Sequence, residues 1–190
     1  MIAEFHETLT PDDCQLIIDY AVKDLKALTV VGSDNKDKFR VGEGTWDGGK
    51  EKAPAAICRK IASLPKEGGE IEVWGDGNQT RSFLYIDECI EATRLLMKSD
   101  YGNPVNIGSE EMVTINELAE ITASVSGKDV RTKHLKNAPL GVRGRNSNND
   151  LIRNVLKWDS SISLKEGIGK TYEWIDRQVA EDVTRRAFPA

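Results

Sequence analysis

A chain of 190 residues is long enough for one ordinary core and at most a small appendage. Its 39% hydrophobic and 30% charged residues fit a soluble globular protein, and a net charge of -5 argues against a nucleic-acid module, which carries a basic face. Three cysteines (Cys14, Cys58, Cys89) without metal spacing, two histidines and no apolar run near the ~20 residues of a membrane span argue against a disulfide framework, a histidine metal site and a membrane anchor. Residues 1–7 lack the pattern of a signal peptide, so the expected location is the cytoplasm.

In chain order, Thr10-Pro11-Asp12-Asp13 reads as a helix start, with Cys14, Ile17, Ile18, Ala21, Val22 and Leu25 as its stripe. Thr29-Val30-Val31 reads as a short strand, and residues 32–38 and the glycine-rich 42–49 read as loops. Pro54 opens a helix carrying Ile57, Ile61 and Leu64, which residues 65–69 end. Residues 70–74 and 80–86 predict two strands in a hairpin around Asp76-Gly77-Asn78. Asp87 is the expected cap of a helix to about Met97, with Cys89, Ile90, Thr93, Leu96 and Met97 inward. Val105-Asn106-Ile107 reads as a short buried strand. Thr114 with Glu117 makes a capping box for a helix bearing Ile115, Leu118, Ala119, Thr122 and Val125, and Gly127 stops it. Residues 130–135 predict a strand, 136–141 a loop, and 149–158 a short helix with Leu151, Ile152, Val155 and Leu156. Ser163 with Glu166 opens a last helix bearing Leu164, Ile168, Tyr172, Ile175 and Val179, and the charged tail from about Glu181 is expected to fray. Strands alternating with helices predict an α/β fold. The strands are few and short, so a partial sheet beside a helical domain is expected rather than a full doubly wound one.

Some of these residues suit a nucleotide diphosphate. Arginine forks match phosphate oxygens, and Arg81 follows the glycine turn while Arg143 and Arg145 sit in a glycine-spaced loop open to close backbone approach. Trp74 suits a base or ribose. From spacing alone, solvated surface charge is the simpler reading of the arginines, and core packing that of Trp74.

A resemblance changes those weights. The run from Gly44-Thr45-Trp46-Asp47-Gly48-Gly49 through Lys50-Glu51-Lys52-Ala53-Pro54-Ala55-Ala56, then Gly75-Asp76-Gly77-Asn78-Gln79-Thr80-Arg81-Ser82-Phe83 and Gly141-Val142-Arg143-Gly144-Arg145-Asn146-Ser147, resembles extended short-chain dehydrogenase/reductases acting on nucleotide sugars. Within them it is similar to the GDP-mannose 3,5-epimerase family, over about residues 44–179. That resemblance implies a partial Rossmann-type sheet plus the helical nucleotide-sugar domain. It implies interconversion of GDP-mannose and GDP-L-galactose through transient C4 oxidation by NAD and proton exchange at C3 and C5. It assigns Lys52 as the catalytic acid/base opposite a cysteine, and Glu51 as a neighbouring substrate contact. Lys60, Gln79, Arg81 and Arg145 become contacts to the GDP portion, with Trp74 beside them. Cys58 and Cys89 lie on inward helix faces and read as packing residues rather than the partner cysteine.

The chain also departs from that family. It contains no G-x-G-x-x-G or G-x-x-G-x-x-G turn for NAD, and no tyrosine is followed four residues later by lysine. NAD is thus the family's cofactor, with no binding site in these residues, and the chain is expected to be inactive alone. The expected partners are GDP-mannose or a related GDP-sugar, and a second copy or a partner chain; nucleic acid and membrane are not expected. Residues 9–46, with Leu9-Thr10-Pro11-Asp12-Asp13 and Phe39-Arg40-Val41-Gly42-Glu43-Gly44-Thr45-Trp46, are similar to the opening of prolyl-4-hydroxylase-type 2-oxoglutarate oxygenases, whose iron ligands are missing. This divides the chain into 1–43 of different origin, an epimerase-like portion 44–180, and a tail 181–190. A non-catalytic GDP-sugar-binding module and a truncated or fused gene product stay open as alternatives.

Overall fold

The structure, a computed structural model, describes residues 51–138 and 142–187. The expectations for the first helix, the first strand and the glycine-rich loop lie outside these residues. Helix α1 spans Ala53–Ala62, with Pro54 in its first turn and Arg59 and Lys60 in its last. Pro54 fits there because a first-turn residue needs no amide hydrogen. The α1 C-terminus is satisfied from elsewhere in the chain. Lys128 Nζ donates to the carbonyl oxygens of Ile61, Ala62 and Leu64, each at 2.9 Å.

Strand β1 (Gly68–Trp74) pairs in parallel with β4 (Asp129–Leu135), in register from Gly68 opposite Asp129 to Trp74 opposite Leu135. Gly68 is required by that pairing: its φ is +106°, and an added Cβ would lie 1.8 Å from the Asp129 carbonyl oxygen. The strand alternates as a half-covered one does: Ile71 and Val73 are buried, while Glu70, Glu72 and Trp74 are exposed. The buried pair packs with Ala55, Ile57, Cys58 and Ile61 of α1, with Leu118 and Ala119 of α3 (Ile115–Ser126), and with Leu164, Ile168, Tyr172 and Ile175 of α5 (Leu164–Ala187). Burial raises the Cys58 thiol pKa to about 12, as befits a packing residue.

The expected hairpin is corrected. β2 (Thr80–Ser82) does not pair with β1 but lies between β3 (Met112–Thr114), antiparallel, and β5 (Gly144–Arg145), parallel. Asp76 Oδ1 accepts from Asn78 N at 2.9 Å, and Gln79 O accepts from Ile115 N at 3.2 Å, so the turn leads away from β1 and onto β3.

Helix α2 (Ile86–Met97) takes Tyr85 as its N-cap, with Asp87 and Glu88 in the first turn. Its buried residues are Ile86, Glu88 and Ala92. Thr93 and Met97, expected inward, are exposed, and the Thr93 hydroxyl donates to the Cys89 carbonyl one turn back. Residues 105–107 form no strand; Val105 and Ile107 instead pack, half-buried, on a second cluster of Leu84, Ala92, Ile152 and Trp158. Ile152 comes from α4 (Asp150–Leu156). The Thr114–Glu117 capping box forms reciprocally, and Gly127 ends α3 with φ 67°. Ser163 Oγ accepts from Glu166 N at the start of α5, which continues past Glu181.

Candidate functional site

The end of β1 brings several of the singled-out residues together. Trp74 is the last residue of the strand and is 54% exposed, which overturns the core-packing reading. Gln79 folds back on it: Nε2 donates to the Trp74 carbonyl at 3.0 Å. The other amide atom, Gln79 Oε1, is buried and takes no hydrogen bond among the described residues. Two residues on, Arg81 donates from Nη1 to Thr80 O at 2.6 Å and from Nη2 to Val142 O at 2.5 Å. The second of these ties residue 142 to β2, and the bond from Thr80 N to Arg143 O at 2.9 Å ties residue 143.

Arg145 sits opposite Arg81 in the β2–β5 register. Burial, and then the positive charge of Arg145, lower the Arg81 pKa. Like charges held in adjacent strands repel, and a bound anion would relieve that repulsion. Arg143 adds a third guanidinium to this edge. Its field is a minor contributor to the lowered Asp76 pKa, behind the hydrogen bonds from Asn78.

Lys60 reaches the same strand from α1. Its Nζ donates to Glu72 O at 2.6 Å, and burial lowers its pKa against the opposing pull of Glu72. Glu51 and Lys52 stand at the other end of α1. Glu51 has a side chain only 4% exposed and accepts from Arg59 Nε at 3.0 Å and Nη2 at 2.5 Å. Lys52 is exposed at the N-cap. Lys60 lies eight positions after Lys52, about 12 Å along the axis at ~1.5 Å per residue. The structure therefore groups Trp74, Gln79, Arg81 and Arg145, adds Lys60 on the strand beside them, and sets Glu51 and Lys52 one helix length away.

Asn116 escaped the sequence reading although it touches the turn between Trp74 and Gln79. Its Nδ2 donates to Asp76 O at 3.1 Å. No spacing rule marks such a residue, because the contact joins positions 40 apart.

A polar cleft of about 260 Å³ lies elsewhere, lined by Ser109, Glu110, Glu111, Arg153, Asp159 and the serine-rich segment after it. Its charges are mutually satisfied. Arg153 binds Glu110 Oε2, Asp159 Oδ2 at 2.7 Å and Asp150 Oδ1 at 3.3 Å. Among the described residues no cluster of His, Cys, Asp or Glu is suited to a metal ion, and no helix is long and apolar enough to cross a membrane.

Residues 40–108 match the NAD dependent epimerase/dehydratase family. Over 142 residues, 75% of the chain, the sequence is 50% identical to GDP-mannose 3,5-epimerase 1 of Oryza sativa subsp. indica and covers 36% of that protein. It is 51% identical over 139 residues to GDP-mannose 3,5-epimerase of Arabidopsis thaliana, 73% of the chain and 36% of that protein. The chain thus spans about a third of the length of these curated relatives. Among solved structures, 69% of it superposes on 41% of UDP-glucose 4-epimerase from Thermotoga maritima, at a TM-score of 0.63 and 24% identity. UDP-glucuronic acid 4-epimerase from Bacillus cereus, solved with UDP-glucuronic acid and NAD, matches 67% of the chain over 40% of its own, at a TM-score of 0.60 and 25% identity. The fold is thus the α/β fold of such epimerases, present as small partial sheets with helices, in line with the sequence expectation.

Proposed function

We propose that this chain carries the substrate-holding portion of a GDP-mannose 3,5-epimerase, an enzyme interconverting GDP-mannose and GDP-L-galactose. The observation that carries this reading is the grouping of Arg81 and Arg145 in register, beside the Trp74–Gln79 turn, in a chain half identical to such epimerases over three-quarters of its length. Arg81 and Arg145 hold the diphosphate, supplying forked donors where like charge is already concentrated. Gln79, held by its Nε2 on the Trp74 carbonyl, supports the nucleotide end, and the exposed Trp74 indole covers the base. Lys60 adds charge to the nucleotide end. Lys52, one helix length away, moves a proton at the sugar carbons, and Glu51, fixed by Arg59, orients the sugar beside it.

The matched family is NAD dependent. The described residues of this chain do not fit a dinucleotide. Among the described residues, the glycine turn after β1 leads to another strand, and no strand passes through a glycine-rich turn into a helix. Hydride transfer at C4 is therefore not assigned to any residue here. The reading is a chain that binds GDP-sugar in the cytoplasm and does not turn it over alone, with a second copy or partner chain completing it. Residues 1–43 are a segment of different origin on this reading. The alternative is a GDP-sugar-binding module without catalysis, which no NAD-binding partner would activate.

Calorimetric titration of the purified chain with GDP-mannose, with and without NAD, tests the reading. Binding that ignores NAD is expected. Binding strengthened by NAD overturns the assignment of the cofactor site elsewhere. Absence of binding by a folded sample overturns the substrate reading.

A further inference from the structure

The turn between β1 and β2 is clamped by a side chain to which the nucleotide reading gives no task. Asn116, the second residue of α3, meets the turn through backbone and side chain. Its amide N donates to Gly77 O at 3.0 Å. Its Nδ2 donates to Asp76 O at 3.1 Å and lies 3.4 Å from Asn78 Oδ1. Its Oδ1 pairs with His134 Nε2 at 2.9 Å, on β4. Because Nδ2 donates, Oδ1 must accept, and His134 must present a proton on Nε2. One half-buried amide thus ties together the start of α3, the turn and the strand that pairs with β1.

The fit leaves no slack. Gly77 has φ +71°, and a Cβ there would lie 2.0 Å from Asn116 Oδ1. The neighbouring bond from Ile115 N fixes the Gln79 carbonyl. The backbone at 76, 77 and 79 is therefore set by the α3 N-terminus, and from this backbone the Gln79 side chain reaches back to Trp74.

We propose that Asn116, oriented by His134, is a positioning residue of the nucleotide site. It holds the Asp76–Asn78 turn so that Gln79 and Trp74 are arranged before ligand arrives, which lowers the ordering cost of binding. The proposal rests on the nucleotide reading above. Its structural cost should be local. The core face of α3, Leu118, Ala119 and Thr122, and the Thr114–Glu117 capping box do not involve Asn116.

The test uses the full 190-residue chain and GDP as the probe, titrated into the unsubstituted protein, Asn116→Ala, Gln79→Ala and the double variant. Asn116→Ala is expected to weaken GDP binding about threefold to tenfold, the usual effect of one lost hydrogen-bonding group. In the Gln79→Ala background the same change should cost less than about twofold, because residues acting through one another are not additive. Equal losses in the two backgrounds, or no loss in either, overturn the proposal. Asn116→Asp keeps the acceptor for His134 but removes the donor to Asp76. It should bind as poorly as Asn116→Ala, and full affinity in it overturns the clamp.

If the unsubstituted folded chain takes no GDP, the nucleotide reading has failed, and the clamp is judged by backbone amide exchange. Asn116→Ala should then accelerate exchange at Asn78 and at residue 116 about tenfold or more, while Leu118 and Thr122 keep their protection. Unchanged exchange in the turn overturns the proposal by itself.

Discussion

Replacing Trp74 by alanine should separate the nucleotide site from the core. The indole is 54% exposed. Taking about 250 Å² for a whole tryptophan, about 135 Å² faces solvent, and a base laid on it would cover about 100 Å². At about 25 cal/mol per Å² this is about 2.5 kcal/mol, within the ~1–3 kcal/mol found for a base on an aromatic platform. GDP affinity should therefore fall about 5- to 150-fold. The covered part of the ring, about 115 Å², contributes at most about 3 kcal/mol to folding, so the unfolding midpoint should fall too. Trp74→Phe keeps a ring and isolates the optical signal: GDP should quench emission in the unsubstituted chain and lose most of that quench in the variant. Trp158, 6% exposed in the second cluster, is shielded from direct quenching. A folded Trp74→Ala sample with unchanged GDP affinity would refute the assignment of the base to this face.

Arg145→Ala should weaken GDP-mannose binding by about 1–3 kcal/mol, and Arg145→Lys should recover only part of it, because an ammonium cannot offer the fork; equal calorimetric affinity in all three proteins removes the phosphate role. Lys128→Met takes three donors from the end of α1 and should lower stability by about 1–3 kcal/mol in urea unfolding, while GDP affinity of the folded protein stays put. Arg153 holds the carboxyl pKa values of Glu110 and Asp159 down, with help from Asn149. A depressed carboxylate contributes stability above its unfolded pKa and loses it as pH falls through the folded value. The thermal midpoint should thus drop below the ordinary carboxylate range, and Arg153→Met should flatten that acid limb; an unaltered slope would show that the cluster contributes nothing.

Legibility followed the range of the interactions. The α3 boundaries were readable because a capping box and a terminal glycine act within four residues. The inward face of α5 was readable from its helical stripe. The expected hairpin does not form because alternation along β1 marks a half-covered strand but carries no information about its partner, which arrives from residues 129–135. The inward face of α2 differs from the apolar stripe because Glu88 occupies a buried position. Its Oε1 accepts from Ser161 N, Ser161 Oγ and Ile162 N, so the carboxylate earns its burial through the following loop. In the site, Trp74, Gln79 and Arg81 are near neighbours in sequence and could be read together. Arg145 is suggested by its glycine-spaced loop and by the family resemblance, but its register opposite Arg81 is visible only in the structure, and Asn116, His134 and Lys128 act across tertiary distances that no spacing reveals.

The two-stranded parallel sheet makes the site more than a collection of side chains. Parallel strands are ordinarily covered on both faces and rich in branched apolar residues. Here the outer face of β1 is Glu70, Glu72 and Trp74, opposite Arg131, Lys133 and Leu135, a mixture suited to water or a polar ligand rather than to another helix layer. The alternation of a parallel ladder, with Gly75 N bound to Leu135 O, turns the carbonyls of Glu72 and Trp74 to the edge that β4 does not use. Those are the two carbonyls that Lys60 Nζ and Gln79 Nε2 satisfy. Two residues assigned to the nucleotide thus also satisfy backbone carbonyls on an edge of β1 that no strand among the described residues pairs with, where an unpaired backbone would otherwise invite another strand. Ligand binding need not undo this. Lys60 has two further ammonium protons, so it can serve the edge and the nucleotide at once.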